Sequence, residues 1–113
     1  MIVLDAATKA LEYKLAGTVT TNNVPFTVSY IDVLDSDQSV SDIASGDGTC
    51  TGATAVVMVT GPAAGHTRQV KSFNIHNADT TGATITVQLN NNGTLRTIWK
   101  GAVLTLENLE YGD

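Results

Sequence analysis

From Val70 to Tyr111 the chain reads VKSFNIHNADTTGATITVQLNNNGTLRTIWKGAVLTLENLEY, and apolar residues alternate with polar ones along most of that stretch. Phe73 and Ile75 alternate with Ser72, Asn74 and His76, and Ala83, Ile85, Val87 and Leu89 alternate with Thr84, Thr86 and Gln88. A period of two is the mark of half-buried strands, because successive side chains point to opposite faces of a sheet. Phe73, Ile75, Ile85, Val87 and Leu89 are therefore expected in one core. Leu95, Thr97 and Trp99 are expected on one face of the next strand, with Arg96, Ile98 and Lys100 opposite, and Val103 to Leu109 supply the last strand. The segments Asp79 to Gly82 and Asn90 to Gly93 contain Gly and Asn, which tolerate the positive φ of short hairpin loops. The stretch thus predicts a four-stranded antiparallel meander with tight hairpins.

The strings F-N-I-H-N-A-D and A-T-I-T-V-Q-L-N-N-N-G-T-L-R-T-I-W-K within this stretch resemble a pattern common in small structural proteins of tailed bacteriophages, namely head-decoration, adaptor and fibre-associated proteins. The likeness extends more weakly to T-K-A-L-E-Y-K-L-A-G-T-V-T-T-N-N-V-P near the N-terminus. Its motif is a hairpin pattern and carries no functional residue. What it implies is a component of the virion, assembled in the host cytoplasm.

The rest of the chain fits the same class. Leu11, Tyr13 and Leu15 alternate with Glu12 and Lys14 in a strand over about Thr8 to Leu15. In Phe26 to Val33 the apolar phase moves from even to odd positions at Tyr30-Ile31, which suggests a β-bulge or a strand buried on both faces. Leu34 to Gly52 has only Val40 and Ile43 as large apolar residues and reads as a long acidic loop. Ala53 to Thr60, ATAVVMVT, suits a central strand. With 113 residues, seventeen of them threonine, there is room for one domain, and strands joined by short turns are favoured over helices. The expected fold is all-β: a two-layer antiparallel β-sandwich, jelly-roll or immunoglobulin-like, of seven to eight strands spanning residues 1–113. A short apolar N-terminal arm (residues 1–7) and the acidic loop (residues 34–52) complete it.

The net charge of −5 argues against nucleic-acid partners, which require neutralisation of phosphates by Lys and Arg. No Lys or Arg falls between Leu15 and Thr67, whereas Asp32, Asp35, Asp37, Asp42 and Asp47 do. That half should carry a negative field able to steer a basic partner. The single Cys50 cannot form an internal disulfide. The apolar run Ile2-Val3-Leu4 is too short for a signal peptide or a membrane span.

Chemical motifs fail on inspection. Asp35 to Ser39 starts like a calcium loop but lacks the glycine at the sixth position and the glutamate at the twelfth, where Gly46 stands. Gly61 to Thr67 follows an apolar strand as a phosphate loop would, yet it is one residue short and has His66 in place of lysine. Cys50 with His66 or His76 lacks an orienting third group and matches no zinc spacing. Asn92-Gly93-Thr94 matches a glycosylation pattern by coincidence. No catalytic residue, cofactor site or metal site is expected.

The functional expectation is a capsid decoration (cement) protein that binds the major capsid protein or another virion protein, self-associates as a trimer or dimer, and catalyses nothing. Alternatives are a head-to-tail adaptor or fibre-associated protein and, from another class, a carbohydrate-binding module using aromatic platforms. For the last, alternation places Phe26, Tyr30 and Phe73 inward and leaves Trp99, Tyr13 and Tyr111. The interface residues expected are Ile2, Val3 and Leu4 as an apolar anchor, Asp35, Asp37, Asp42 and Asp47 as the steering surface, and Trp99 as a core or subunit-contact residue.

Overall fold

The computed structural model describes residues 1–112 and is all-β. Nine strands form two packed antiparallel sheets: β1 (Ile2–Leu4), β2 (Lys9–Leu15), β3 (Val24–Leu34), β4 (Ala44–Cys50), β5 (Val56–Val59), β6 (His66–His76), β7 (Ala83–Asn91), β8 (Thr94–Val103) and β9 (Asn108–Gly112). The first sheet runs β1-β6-β3-β4, with β9 also on β6; the second runs β5-β2-β7-β8. The expected sandwich is present, with more strands than the seven or eight read from the sequence.

Four of those readings change. The stretch from Val70 to Tyr111 is not a meander within one sheet. β6 and β9 lie in the first sheet and β7 and β8 in the second, so residues 77–82 and 104–107 cross between layers and only β7–β8 is a hairpin. Alternation is the same whichever layer a strand joins, so the period could not reveal the crossings. The hairpin loop is Asn92-Gly93, both at positive φ (51° and 95°), the backbone of the two-residue turns that match strand twist.

The acidic loop contains strand β4. Its sequence, ASGDGTC, has little strand propensity, but it pairs with β3 from Val24↔Cys50 to Tyr30↔Ala44. The small residues have a reason: Phe26 lies over Gly48, where an added Cβ would come within 2.8 Å of the ring, and Val28 lies over Gly46. The large side chains of β3 fill the space that those of β4 leave open. Residues 35–43 remain a loop, itself held by Leu34 N–H to Ser39 O and Ser41 N–H to Asp32 O and by a bridge between Val33 and Val40.

The N-terminal arm is also a strand. β1 and β9 share one edge of β6: Ile2↔Val70 to Leu4↔Arg68 occupy its first half and Asn108↔His76 to Gly112↔Ser72 its second. Finally, Ala53 to Thr60 yields the four-residue β5 at a sheet border, not a central strand.

The core lies between the sheets. Leu11, Tyr13, Leu15, Ile85 and Val87 from the second sheet meet Leu4, Val24, Phe26, Val28, Val70, Phe73 and Ile75 from the first, and Leu89 packs on this cluster half-buried. Tyr13 meets Phe26 edge to face at 5.5 Å and donates its hydroxyl to Val24 O at 2.5 Å. Burial pushes that phenol's pKa up. Phe73 stacks on Tyr111 at 5.2 Å. The phase change in β3 coincides with a register shift at Ser29/Tyr30, where Lys71 of β6 is the residue skipped. Beyond it Tyr30 and Asp32 face inward with Val70 and Arg68, while Val33, on the other face, is buried beside Val40.

Candidate interaction surfaces

Most conspicuous ionisable side chains are committed to holding the fold. Arg68 donates Nε and Nη2 to the two carboxylate oxygens of Asp32 (2.7 and 3.0 Å), donates Nη1 to Thr60 O, and lies 4.4 Å from the Tyr30 ring centre. The guanidinium hydrogen bonds hold the Asp32 carboxyl below its usual range. Lys9 pairs with Asp5.

A second polar knot ties three crossings together at one end of the sandwich. The Asp79 carboxylate accepts backbone N–H groups from Thr20 (2.7 Å), Thr21 (2.8 Å), Asn22 (3.1 Å) and Thr80 (2.8 Å), and these bonds push its pKa far down. The fully buried Asn77 accepts the Asp79 N–H and donates to Thr81 O and Val103 O. The Thr105 hydroxyl donates to Asp79 O. Sequence reading passed over both residues. The available signal was Asn-Ala-Asp-Thr-Thr after a strand, a side-chain-capped turn.

The predicted interface residues separate into those the fold consumes and those it displays. Leu4 is fully buried and Ile2 half-buried against the core, so the arm is anchored on its own β6; only Val3 faces out. Asp35 accepts the Thr67 hydroxyl (2.8 Å), and Asp37 accepts the Ser39 N–H (2.9 Å), which lowers its pKa. Asp42 and Asp47 are exposed. They flank Ile43, and Val40 lies just upstream; these two apolar residues are 69% and 60% exposed. The acidic border is therefore also an apolar one.

On β8 every side chain from Thr94 to Lys100 is exposed, including Leu95 (48%), Ile98 and Trp99 (37%). The faces expected for this strand change. A register shift between Val87 and Gln88 makes Ile98 an extra residue, so Trp99 sits opposite Val87 and Arg96 opposite Leu89, on the core side, while Leu95 and Thr97 share the other face. The indole lies over Gly101, where a Cβ would meet it at 2.8 Å. On the outer face of the second sheet, Glu12 is only 5% exposed and accepts from Gln88 Nε2 at 2.6 Å and from Asn90 Nδ2 at 3.4 Å.

The other surfaces offer less chemistry. A groove of about 450 Å³ on the outer face of the first sheet is lined by Thr27, Ser29, Ser72, Asn74, Glu110 and Gly112, among others; its two serine hydroxyls bond each other at 2.7 Å. Cys50 is buried, donating to Gly52 O, while His66 contacts Ala64 O and His76 contacts Asn108. Among the described residues no three His, Cys, Asp or Glu side chains converge as metal ligands would.

No family model matches this chain, and neither a curated protein nor a solved structure matches it.

Proposed function

We propose that this chain is a structural protein of a bacteriophage virion, a capsid decoration protein that binds the assembled shell and clamps neighbouring subunits. The phage setting rests on the resemblance in the β6 to β8 sequence. The observation that carries the binding role is the pair of displayed apolar borders, Leu95, Ile98 and Trp99 on β8 and Val40 and Ile43 ahead of β4, each accompanied by exposed charged residues. Exposed apolar residues rimmed by charge mark protein contact surfaces, and the aromatic and arginine content of β8 suits one. A head-to-tail adaptor or fibre-associated protein would use the same surfaces.

The test is co-sedimentation of the purified chain with shells assembled from the major capsid protein of the same genome. Saturable binding, weakened by Trp99→Ser or Ile43→Ser, is expected. Binding to tail components alone would favour the adaptor.

A carbohydrate-binding module has one specific observation in its favour: the Trp99 ring is exposed at the surface of β8, and exposed aromatic rings can stack on sugars. Tyr13 is buried and Tyr111 is stacked on Phe73, which leaves Trp99 as the exposed ring among the described residues. A shift in tryptophan emission on titration with oligosaccharides would support that reading.

A further inference from the structure

Two borders of the sandwich carry opposite charge and similar apolar character. At one, β4 is the free edge of the first sheet, beside β5, with Val40, Asp42, Ile43 and Asp47 at the surface. At the other, β8 is the free edge of the second sheet, at the opposite end of its strand order from β5, and displays Arg96 and Trp99 on one side of that edge and Leu95 and Lys100 on the other, with the extra residue Ile98 between them. We infer that these two borders are the halves of one contact, through which β8 of one copy docks on the Val40 to Asp47 border of the next.

Charge selects this pairing over the symmetric ones. Among the described residues Arg96 and Lys100 have no ion-pair partner, whereas Lys9 is paired with Asp5 and Arg68 with Asp32. Two β8 strands meeting across a two-fold axis would bring both copies' Arg96 and Lys100 together, and two β4 borders would do the same with Asp42 and Asp47. Charges on edge strands prevent such like-to-like association. The heterologous arrangement replaces both repulsions with attraction and covers Trp99, Ile98 and Leu95 with Val40 and Ile43, so charge sets the specificity and apolar burial supplies the affinity. Such a contact leaves one free border of each kind at every step, and copies therefore continue into a ring or a chain and do not stop at a dimer. The inference concerns the chain alone and does not depend on shell binding.

Sedimentation velocity of the purified protein tests it with reciprocal charge reversals. The parent should associate in a concentration-dependent way beyond the dimer, and less at high salt. Arg96→Glu with Lys100→Glu, and separately Asp42→Lys with Asp47→Lys, should each weaken association by at least about tenfold. An equimolar mixture of the two should recover it, because each variant then presents a border complementary to one on the other. Recovery also shows that both variants are folded. The uncharged pair Trp99→Ser and Ile43→Ser should weaken association at every salt concentration. A parent that stays monomeric up to about 1 mM, a β8 charge-reversed variant that associates as well as the parent, or a mixture of folded variants that remains monomeric would each overturn the inference.

Discussion

The indole of Trp99 lies across Gly101, two residues further along the same strand, so that a Cβ at position 101 would stand 2.8 Å from the ring. Gly48 has the same relation to Phe26 on the neighbouring strand, also at 2.8 Å. The rings replace the packing that a glycine cannot supply in a strand. They differ in freedom: Trp99 is exposed and Phe26 is buried between the sheets. Gly101→Ala should therefore displace the indole into water, shifting its emission to the red, with a stability change within about 1 kcal/mol. Gly48→Ala should cost about 1–3 kcal/mol, since a buried ring can move only by straining its neighbours. Tryptophan emission and urea midpoints of the two variants decide this; equal costs would contradict it.

Acid should loosen the end of the sandwich held by Asp79. Its folded-state pKa lies below the ordinary value of 3.8, because four backbone N–H groups bond the carboxylate form. A carboxyl depressed on folding contributes stability that is complete above its unfolded pKa and is lost as pH falls towards the folded one. The contribution is therefore flat at neutral pH and declines below about pH 4. Asp32 and Asp37, also lowered, act in the same direction. Asp79→Asn should lower the urea midpoint at pH 7 and flatten the acid limb between about pH 4 and 2. An unchanged acid limb would mean that the knot is not what fails.

Ile85 is fully buried and lies opposite Leu15 on β2 and Gly101 on β8. Ile85→Ala should cost about 2–5 kcal/mol through lost burial and the cavity left behind. Leu89→Ala, at a half-buried site nearer the hairpin tip, should cost less. Chemical denaturation measures both, and the reverse order would place the core at the wrong end of β7.

The strands were legible where side-chain period alone decides them. Alternation located β2, β6, β7 and β8; the apolar phase change at Tyr30-Ile31 lies beside a register shift, but the extra residue is Lys71 of β6 and β3 itself keeps Val28, Tyr30 and Asp32 on one face. What alternation cannot encode is which sheet a strand joins, since an inward residue looks the same from either side; hence β6 to β9 read as one meander. β4 was hidden for a different reason. Gly46 and Gly48 are small because Val28 and Phe26 lean over them, a long-range fact absent from the local string. Of the surface residues, the exposure of Asp42 and Asp47 was legible from their charge, whereas the face of Trp99 was not, because the extra residue Ile98 shifts the register. Asn77 and Asp79 were not, because their role depends on Thr20 to Asn22 and Val103, brought close only by the fold.

The N-terminal strand provides the sharpest separation between holding the fold and meeting a partner. As a free apolar arm, residues 1–4 would matter for docking and little for stability. As β1 they complete the edge of β6 ahead of β9, with Leu4 fully buried among core residues and Val3 turned outward. Leu4→Ala should then cost about 2–5 kcal/mol, while Val3→Ser should stay within about 0.5 kcal/mol. Removing residues 1–4 should cost at least as much as Leu4→Ala and leave Val70, Gln69 and Arg68 without a strand on the edge of β6 away from β3. An uncovered strand edge recruits other chains, so the truncated protein should also aggregate on storage at concentrations the parent tolerates. Urea midpoints and light scattering read the two effects. If truncation leaves both unchanged, β1 contributes nothing to the sandwich, and the apolar arm is free to serve as a docking anchor after all.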